Sequence, residues 1–174
     1  MAQYAIFLRG VNVGGITLKM AEVRDVIGAL DVTDVATLLA SGNIVLSTDL
    51  GARPLKAAVE AALRAAFGYD AWVVVLTRAE VEAIVEACPY PADDASTHTY
   101  ITLSSDPAAL DELAAATDGA DGQERLAPGA TAWLAPRGST LVSPLSKATA
   151  KPKFKATTTT RNLRTMLKVR AAFA

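Results

Sequence analysis

Tyr4-Ala5-Ile6-Phe7-Leu8-Arg9-Gly10-Val11-Asn12-Val13-Gly14-Gly15 reads as a strand that empties into a glycine-rich loop. Tyr4 to Leu8 is an unbroken apolar run of strand length. Beyond the loop, Met20, Val23, Ile27 and Leu30 recur at helical spacing, so the spacing predicts a helix from about Lys19 to Leu30. A strand that passes through three glycines and an asparagine into a helix is a common way to present backbone N–H groups to a ligand.

Working outward, Val35 to Ala40 is a second strand, Ser41-Gly42-Asn43 a tight turn, and Ile44 to Ser47 a third strand that closes a hairpin. Leu55, Val59, Ala62, Leu63, Ala66 and Phe67 form a helical stripe, with Pro54 near its first turn and Gly68 at its stop. Ala71 to Leu76 is almost wholly apolar and rich in β-branched residues, as a central strand is. The order is β-α-β-β-α-β, the split βαβ unit of ferredoxin-like folds.

The rest of the chain repeats the theme more loosely. Glu80 to Cys88 is a helix with Thr77 as its cap, and Pro89 to Ser96 is the loop that separates the halves. Strand His98–Leu103 and helix Pro107–Ala116, capped by Asp106, follow. Short strands then fall at Gln123–Ala127, Thr131–Leu134 and Thr140–Val142. Ser146–Lys155 reads as a basic segment interrupted by proline, and Thr160–Ala172 as a final helix. The expectation is an α+β chain of two ferredoxin-like (α/β-plait) subdomains with antiparallel sheets. The first half covers 1–88; the second, 89–174, ends in a basic helix. No sequence repeat is visible, so the duplication rests on element order alone.

Composition narrows the function classes. The chain has 174 residues, 51% of them hydrophobic and 20% charged, the profile of a globular protein. No apolar run approaches the roughly 20 residues that cross a bilayer, and Met1-Ala2-Gln3-Tyr4 leads straight into a strand; the expectation is a cytoplasmic protein without membrane association. One cysteine, Cys88, excludes an internal disulfide, and one histidine, His98, excludes a multi-histidine metal centre within one chain. No cofactor is implied. Charge is segregated: residues 145–174 hold eight Lys or Arg and no Asp or Glu, in a chain of net charge −1. An anionic partner explains that layout, and so does a basic end packed on an acidic body.

Four stretches carry a family resemblance: Arg9-Gly10-Val11-Asn12-Val13-Gly14-Gly15, Met20-Ala21-Glu22-Val23-Arg24, Ser41-Gly42-Asn43-Ile44-Val45 and Thr160-Arg161-Asn162-Leu163-Arg164-Thr165. In order and spacing they resemble successive signatures of the bacterial domain of unknown function 1697 family, over essentially the whole chain. The resemblance implies two ferredoxin-like subdomains and no established activity, substrate or cofactor. Members often carry a basic residue directly after the paired glycines; here Ile16 and Thr17 stand there, and the nearest basic residue is Lys19. Members also often have an aromatic residue where this chain has Leu163.

Gly10 to Gly15 followed by Ile16 and Thr17 is one residue from a phosphate-binding P-loop. The missing residue is the lysine that meets the β- and γ-phosphates, and without it the central charge of an NTPase site is gone. Arg9 sits at the end of its strand beside the loop, where a fixed cation suits a phosphate or carboxylate. Its alternative is a salt bridge to Glu22 or Asp25. In the final helix, Leu163, Met166, Leu167 and Phe173 form an inward stripe, with Arg161, Arg164, Thr165 and Lys168 on another face. Arg161, read as lying in the first turn, opposes the helix dipole and points to an anion or a carboxylate. Lys147, Lys151, Lys153 and Lys155 flank Phe154, a pattern that can track a nucleic-acid backbone while the ring stacks on a base. His98 and Cys88 read as structural; the Asp93-Asp94 pair sits in a loop and could bind a cation, but two adjacent acids point to different sides of an extended chain. No nucleophile–base constellation is visible, so the catalytic residues are unknown.

The candidate ligand contacts are Arg9, Asn12, Gly14, Gly15, Lys19, Ser41, Asn43, Arg161, Asn162 and Arg164. The expected ligand is a phosphate-bearing small molecule, a nucleotide or a nucleic acid. The alternatives are an enzyme acting on a small phosphorylated or carboxylated substrate and a protein-interaction module.

Overall fold

β1 (Ala2–Leu8) lies second from one edge of a four-stranded antiparallel sheet. The computed structural model describes residues 1–10, 16–138 and 142–173. After β1 come α1 (Met20–Gly28), β2 (Thr33–Leu38), β3 (Asn43–Thr48), α2 (Ala52–Phe67) and β4 (Val73–Thr77), in the sheet order β2-β3-β1-β4. The register runs from Ala2 opposite Thr48 to Phe7 opposite Asn43, and from Tyr4 opposite Thr77 to Leu8 opposite Val73. Tyr4, Ile6 and Leu8 share a core with Val23 and Ile27 of α1 and Leu55, Val59 and Leu63 of α2. Ala5 and Phe7, which alternate with them, are fully buried as well. Burial on both faces is why β1 reads as a continuous apolar run instead of an alternating one.

Local signals fix the element ends. Gly68 closes α2 in the left-handed region at φ 66°, where a side chain would strain the backbone. α3 (Arg78–Ala87) opens with a reciprocal capping box: the Thr77 hydroxyl accepts from the Glu80 N–H at 3.1 Å, and the Glu80 carboxylate accepts from the Thr77 N–H at 2.7 Å.

A second βαββαβ unit follows: β5 (Thr97–Ser104), α4 (Pro107–Thr117), β6 (Glu124–Ala127), β7 (Ala130–Pro136), α5 (Pro144–Thr149), α6 (Pro152–Lys155) and β8 (Thr158–Asn162), then α7 (Leu163–Ala172). Its sheet order, β6-β7-β5-β8, repeats that of the first sheet position for position. Asp106 caps α4, accepting from the Ala108 N–H at 3.1 Å. Leu110 and Leu113 of α4, Leu145 and Ala148 of α5 and Phe154 of α6 pack with Trp133 and Ala135 of β7. The fold is therefore α+β, with two ferredoxin-like subdomains built on antiparallel sheets.

Three expectations need correction. Thr158–Asn162 is a strand, so the final helix begins at Leu163 and Arg161 lies opposite Ile101 of β5, outside any helical turn. β-Branched threonines suit a pleated surface, and here the Thr160 and Thr102 hydroxyls bond across the strands at 2.9 Å. The dipole argument at Arg161 falls with the helix. Ser146–Lys155 is mostly helical: Pro144 and Pro152 sit at the start of α5 and α6, where a missing N–H costs nothing. Phe154 is buried at 5% exposure in the core beneath them, so its ring is not a surface for stacking on a base. The strand expected at Thr140–Val142 falls outside the described residues except for Val142.

The chain divides into two compact units, Met1–Val81 with Lys168–Ala174, and Glu82–Leu167. In the first, Phe173 lies under the Arg78 guanidinium at 5.8 Å.

Candidate functional site

In the first sheet the C-terminal ends of β1 and β2 and the N-terminal ends of β3 and β4 meet at one end, because neighbouring strands are antiparallel. The chain just past β1 is pinned there from both sides. The Leu8 N–H donates to the Gly42 carbonyl at 2.9 Å, and the Arg9 N–H donates to the Trp72 carbonyl at 3.2 Å. Arg9 is thus held between the β2–β3 turn and the residue preceding β4, half-buried on a rigid support. Gly10 follows with φ 68°, the left-handed conformation that turns the chain away from the sheet. Asn12, Gly14 and Gly15 lie outside the described residues.

Lys19 occupies the N-cap of α1, is exposed, and its side chain makes no capping bond. Ser, Thr, Asp or Asn ordinarily fills that position. A lysine there places a positive charge at the positive end of the helix. The cation set against a helix dipole, expected at Arg161, is therefore found at Lys19.

The β2–β3 turn is built around Asn43, which is fully buried. Its Nδ2 donates to the Leu38 carbonyl and to the Ser41 hydroxyl, both at 2.9 Å. Both amide protons are engaged in holding the turn, with Ser41 serving as one of the acceptors.

Two aromatic residues beside Arg9 were not singled out from the sequence. Tyr69 has a buried hydroxyl with no hydrogen-bond partner among the described residues. Burial pushes its pKa up, and the nearby Arg9 charge works against that shift. Trp72 is 38% exposed, with its indole N–H donating to Asp70 at 3.3 Å and the Lys56 ammonium over its ring at 5.4 Å. Trp72 sits one residue before β4, in an apolar run that masks it as strand interior. Its exposure is the sole feature that distinguishes it.

The remaining candidates lie in the second unit. Arg161 is 6% exposed and donates to the Thr159 hydroxyl at 2.7 Å and the Thr160 carbonyl at 3.0 Å. Burial lowers its pKa to about 10, which leaves it charged at neutral pH. Asn162 caps α7: its Oδ1 accepts from the Thr165 N–H at 2.8 Å and the Thr165 hydroxyl at 2.9 Å. Arg164 pairs with Asp93 at 2.6 Å. Thr165, expected on the polar face with these residues, is buried.

An open depression of about 580 Å³ lies in the first unit between the end of α1 and β2. It is lined by Arg24, Asp25, Thr33 and Asp34, charges of both signs, and includes none of the candidate residues. Among the described residues no group of three or more His, Cys, Asp or Glu is placed to hold a metal ion, and no helix is long and apolar enough to cross a membrane.

A family model described as a protein of unknown function, DUF1697, matches residues 1–133. The chain belongs to the DUF1697 family. The matched residues take in the Arg9–Gly15, Met20–Arg24 and Ser41–Val45 signatures, while Thr160–Thr165 lies beyond them. Among solved structures, the DUF1697 chain is similar to the conserved bacterial protein SP0830 from Streptococcus pneumoniae, with a TM-score of 0.80 at 22% identity over 99% of each chain. At that identity the likeness carries the fold alone. No curated protein matches the sequence.

Proposed function

We propose that this DUF1697 protein binds a phosphate-bearing ligand at the end of its first sheet, through Arg9, Lys19 and the loop of Asn12, Gly14 and Gly15 between them. The observation that carries the reading is Lys19 at the N-cap of α1, exposed and without a side-chain capping bond. A ligand anion would reverse the unfavourable charge at the helix end and accept its N–H groups. Arg9, half-buried and anchored through its backbone, supports the same reading as a second cation at the other end of the loop. Ser41 and Asn43 shape the neighbouring turn. Arg161, Asn162 and Arg164 lie in the second unit and would make a separate anion contact of their own there.

The test is a thermal-shift and calorimetric titration with inorganic phosphate, pyrophosphate, nucleotides and short RNA, at low and moderate salt. A ligand at 100 times its dissociation constant adds about 2.7 kcal/mol, or about 5–11 °C for a chain of this size. Arg9→Ala removes a charge-assisted bond and weakens binding by about 10- to 150-fold. Lys19→Ala weakens it less, and Arg164→Ala leaves it unchanged if the first unit alone holds the ligand. A flat panel across all phosphate-bearing compounds overturns the reading.

A further inference from the structure

Trp72 and Tyr69 add something to this end of the sheet that a bare phosphate site does not need. The Trp72 carbonyl accepts from the Arg9 N–H at 3.2 Å, so the two residues are neighbours at this end of the sheet. The ring is also held in place. Lys56 covers it at 5.4 Å, and Lys56 is itself fixed by Glu60 at 2.7 Å. Glu60 is tied to the sheet by the Val73 N–H at 3.1 Å, and Asp70 holds the indole N–H at 3.3 Å. A tryptophan pinned by charged neighbours and still 38% exposed has given up its freedom without burying its surface. Such a ring is preorganised for a flat partner. Tyr69 also lies close enough to Arg9 to feel its charge, and its hydroxyl is out of water and unbonded among the described residues, a cost that a ligand atom would relieve.

We infer that the ligand is a nucleotide, with its base stacked on Trp72, a polar group bonded to the Tyr69 hydroxyl and its phosphate at Arg9. This rests on the anion-site reading above and specifies the part of the ligand that carries no charge. Base–aromatic stacking contributes about 5- to 150-fold in affinity and is tolerant of base identity, so adenine and cytosine nucleotides both bind. Recognition would then come from the Tyr69 bond and not from the stack.

The experiment titrates adenosine diphosphate, cytidine diphosphate, ribose 5-phosphate and pyrophosphate into the whole protein, reading calorimetric affinity and tryptophan fluorescence. Trp133, 2% exposed, is the internal reference. Expected are nucleotide affinities at least five-fold above those of ribose 5-phosphate and pyrophosphate, and quenching that disappears in Trp72→Phe, which leaves Trp133 alone. Trp72→Leu should lose about 5- to 150-fold for nucleotides and less than two-fold for pyrophosphate. Tyr69→Phe should weaken nucleotide binding while melting no lower than the parent, which separates a lost contact from a damaged fold. Equal affinity for nucleotides and pyrophosphate, or a Trp72→Leu variant within two-fold of the parent for nucleotides, overturns the inference and leaves the anion site standing. Absence of binding by all four compounds overturns both.

Discussion

Replacing Asn43 by alanine should destabilise the protein in the absence of any ligand. Asn43 is fully buried, and its amide nitrogen donates two hydrogen bonds of 2.9 Å, to Leu38 and to Ser41. The turn it holds contains two left-handed residues, Leu39 at φ 60° and Gly42 at φ 86°, so its shape is not one the chain falls into unaided. Each bond contributes roughly 0.5–1.5 kcal/mol net, which sets the loss in Asn43→Ala at about 1–3 kcal/mol. Ser41→Ala removes one acceptor at a half-buried position and should cost no more than about 1 kcal/mol. Urea unfolding of the parent, both single variants and the double variant gives the coupling between the two residues. The double variant should be less destabilised than the sum of the singles, by about 0.5 kcal/mol or more. For a chain of this length each kcal/mol corresponds to about 2–4 °C in melting temperature, an independent check. An Asn43→Ala variant within 0.5 kcal/mol of the parent, or strict additivity in the double variant, would refute the claim that this amide holds the turn.

Two further outcomes follow from the second unit. Phe154→Ala should cost about 3–5 kcal/mol, as truncation of a buried aromatic does, whereas a surface ring poised to stack on a base would cost well under 1 kcal/mol; chemical unfolding decides. Asp94 accepts from the Ser96 hydroxyl at 2.6 Å and from the Ser96 and Thr97 N–H groups at 2.7 and 3.2 Å, and these bonds hold its carboxyl below the ordinary 3.8. A lowered folded-state pKa stabilises above the unfolded value and is lost as pH falls through the folded one. Melting temperatures of parent and Asp94→Asn should therefore differ at neutral pH and converge below the ordinary carboxylate range; a pH-independent difference refutes the assignment.

The elements with strong local signals were legible. The Tyr4–Leu8 run, the α2 stripe, the Thr77 and Asp106 caps and the Gly68 stop were each readable from a few neighbouring residues, and together they gave the βαββαβ order. What was not legible depends on tertiary partners. Thr157 to Thr160 suits a linker, a cap or a strand, and only the partner β5 and the Thr102 hydroxyl decide for the strand. Pro144 and Pro152 look like interruptions until their N-terminal position in short helices is known. The identical order of the two sheets shows in the sequence only as a repeated order of elements and not as repeated residues, because topology constrains which positions are buried and not which apolar residues fill them. At the candidate site Arg9 and the glycines were visible through their types and spacing. Lys19 gained its meaning only from the exact start of α1, and Trp72 only from its exposure in an apolar run.

Residues 168–174 belong to the unit formed by residues 1–81, with Phe173 beneath Arg78. On the ribosome, where synthesis runs at about 5–20 residues per second, the first unit must wait roughly 5–20 s after its last strand emerges for the segment that completes it. Its early βαββαβ portion passes that interval unfinished, and a chain stalled or cut just before residue 168 carries every residue of the second unit while the first lacks its closing segment. Quality control acting on such fragments would see exposed apolar surface in the part made first.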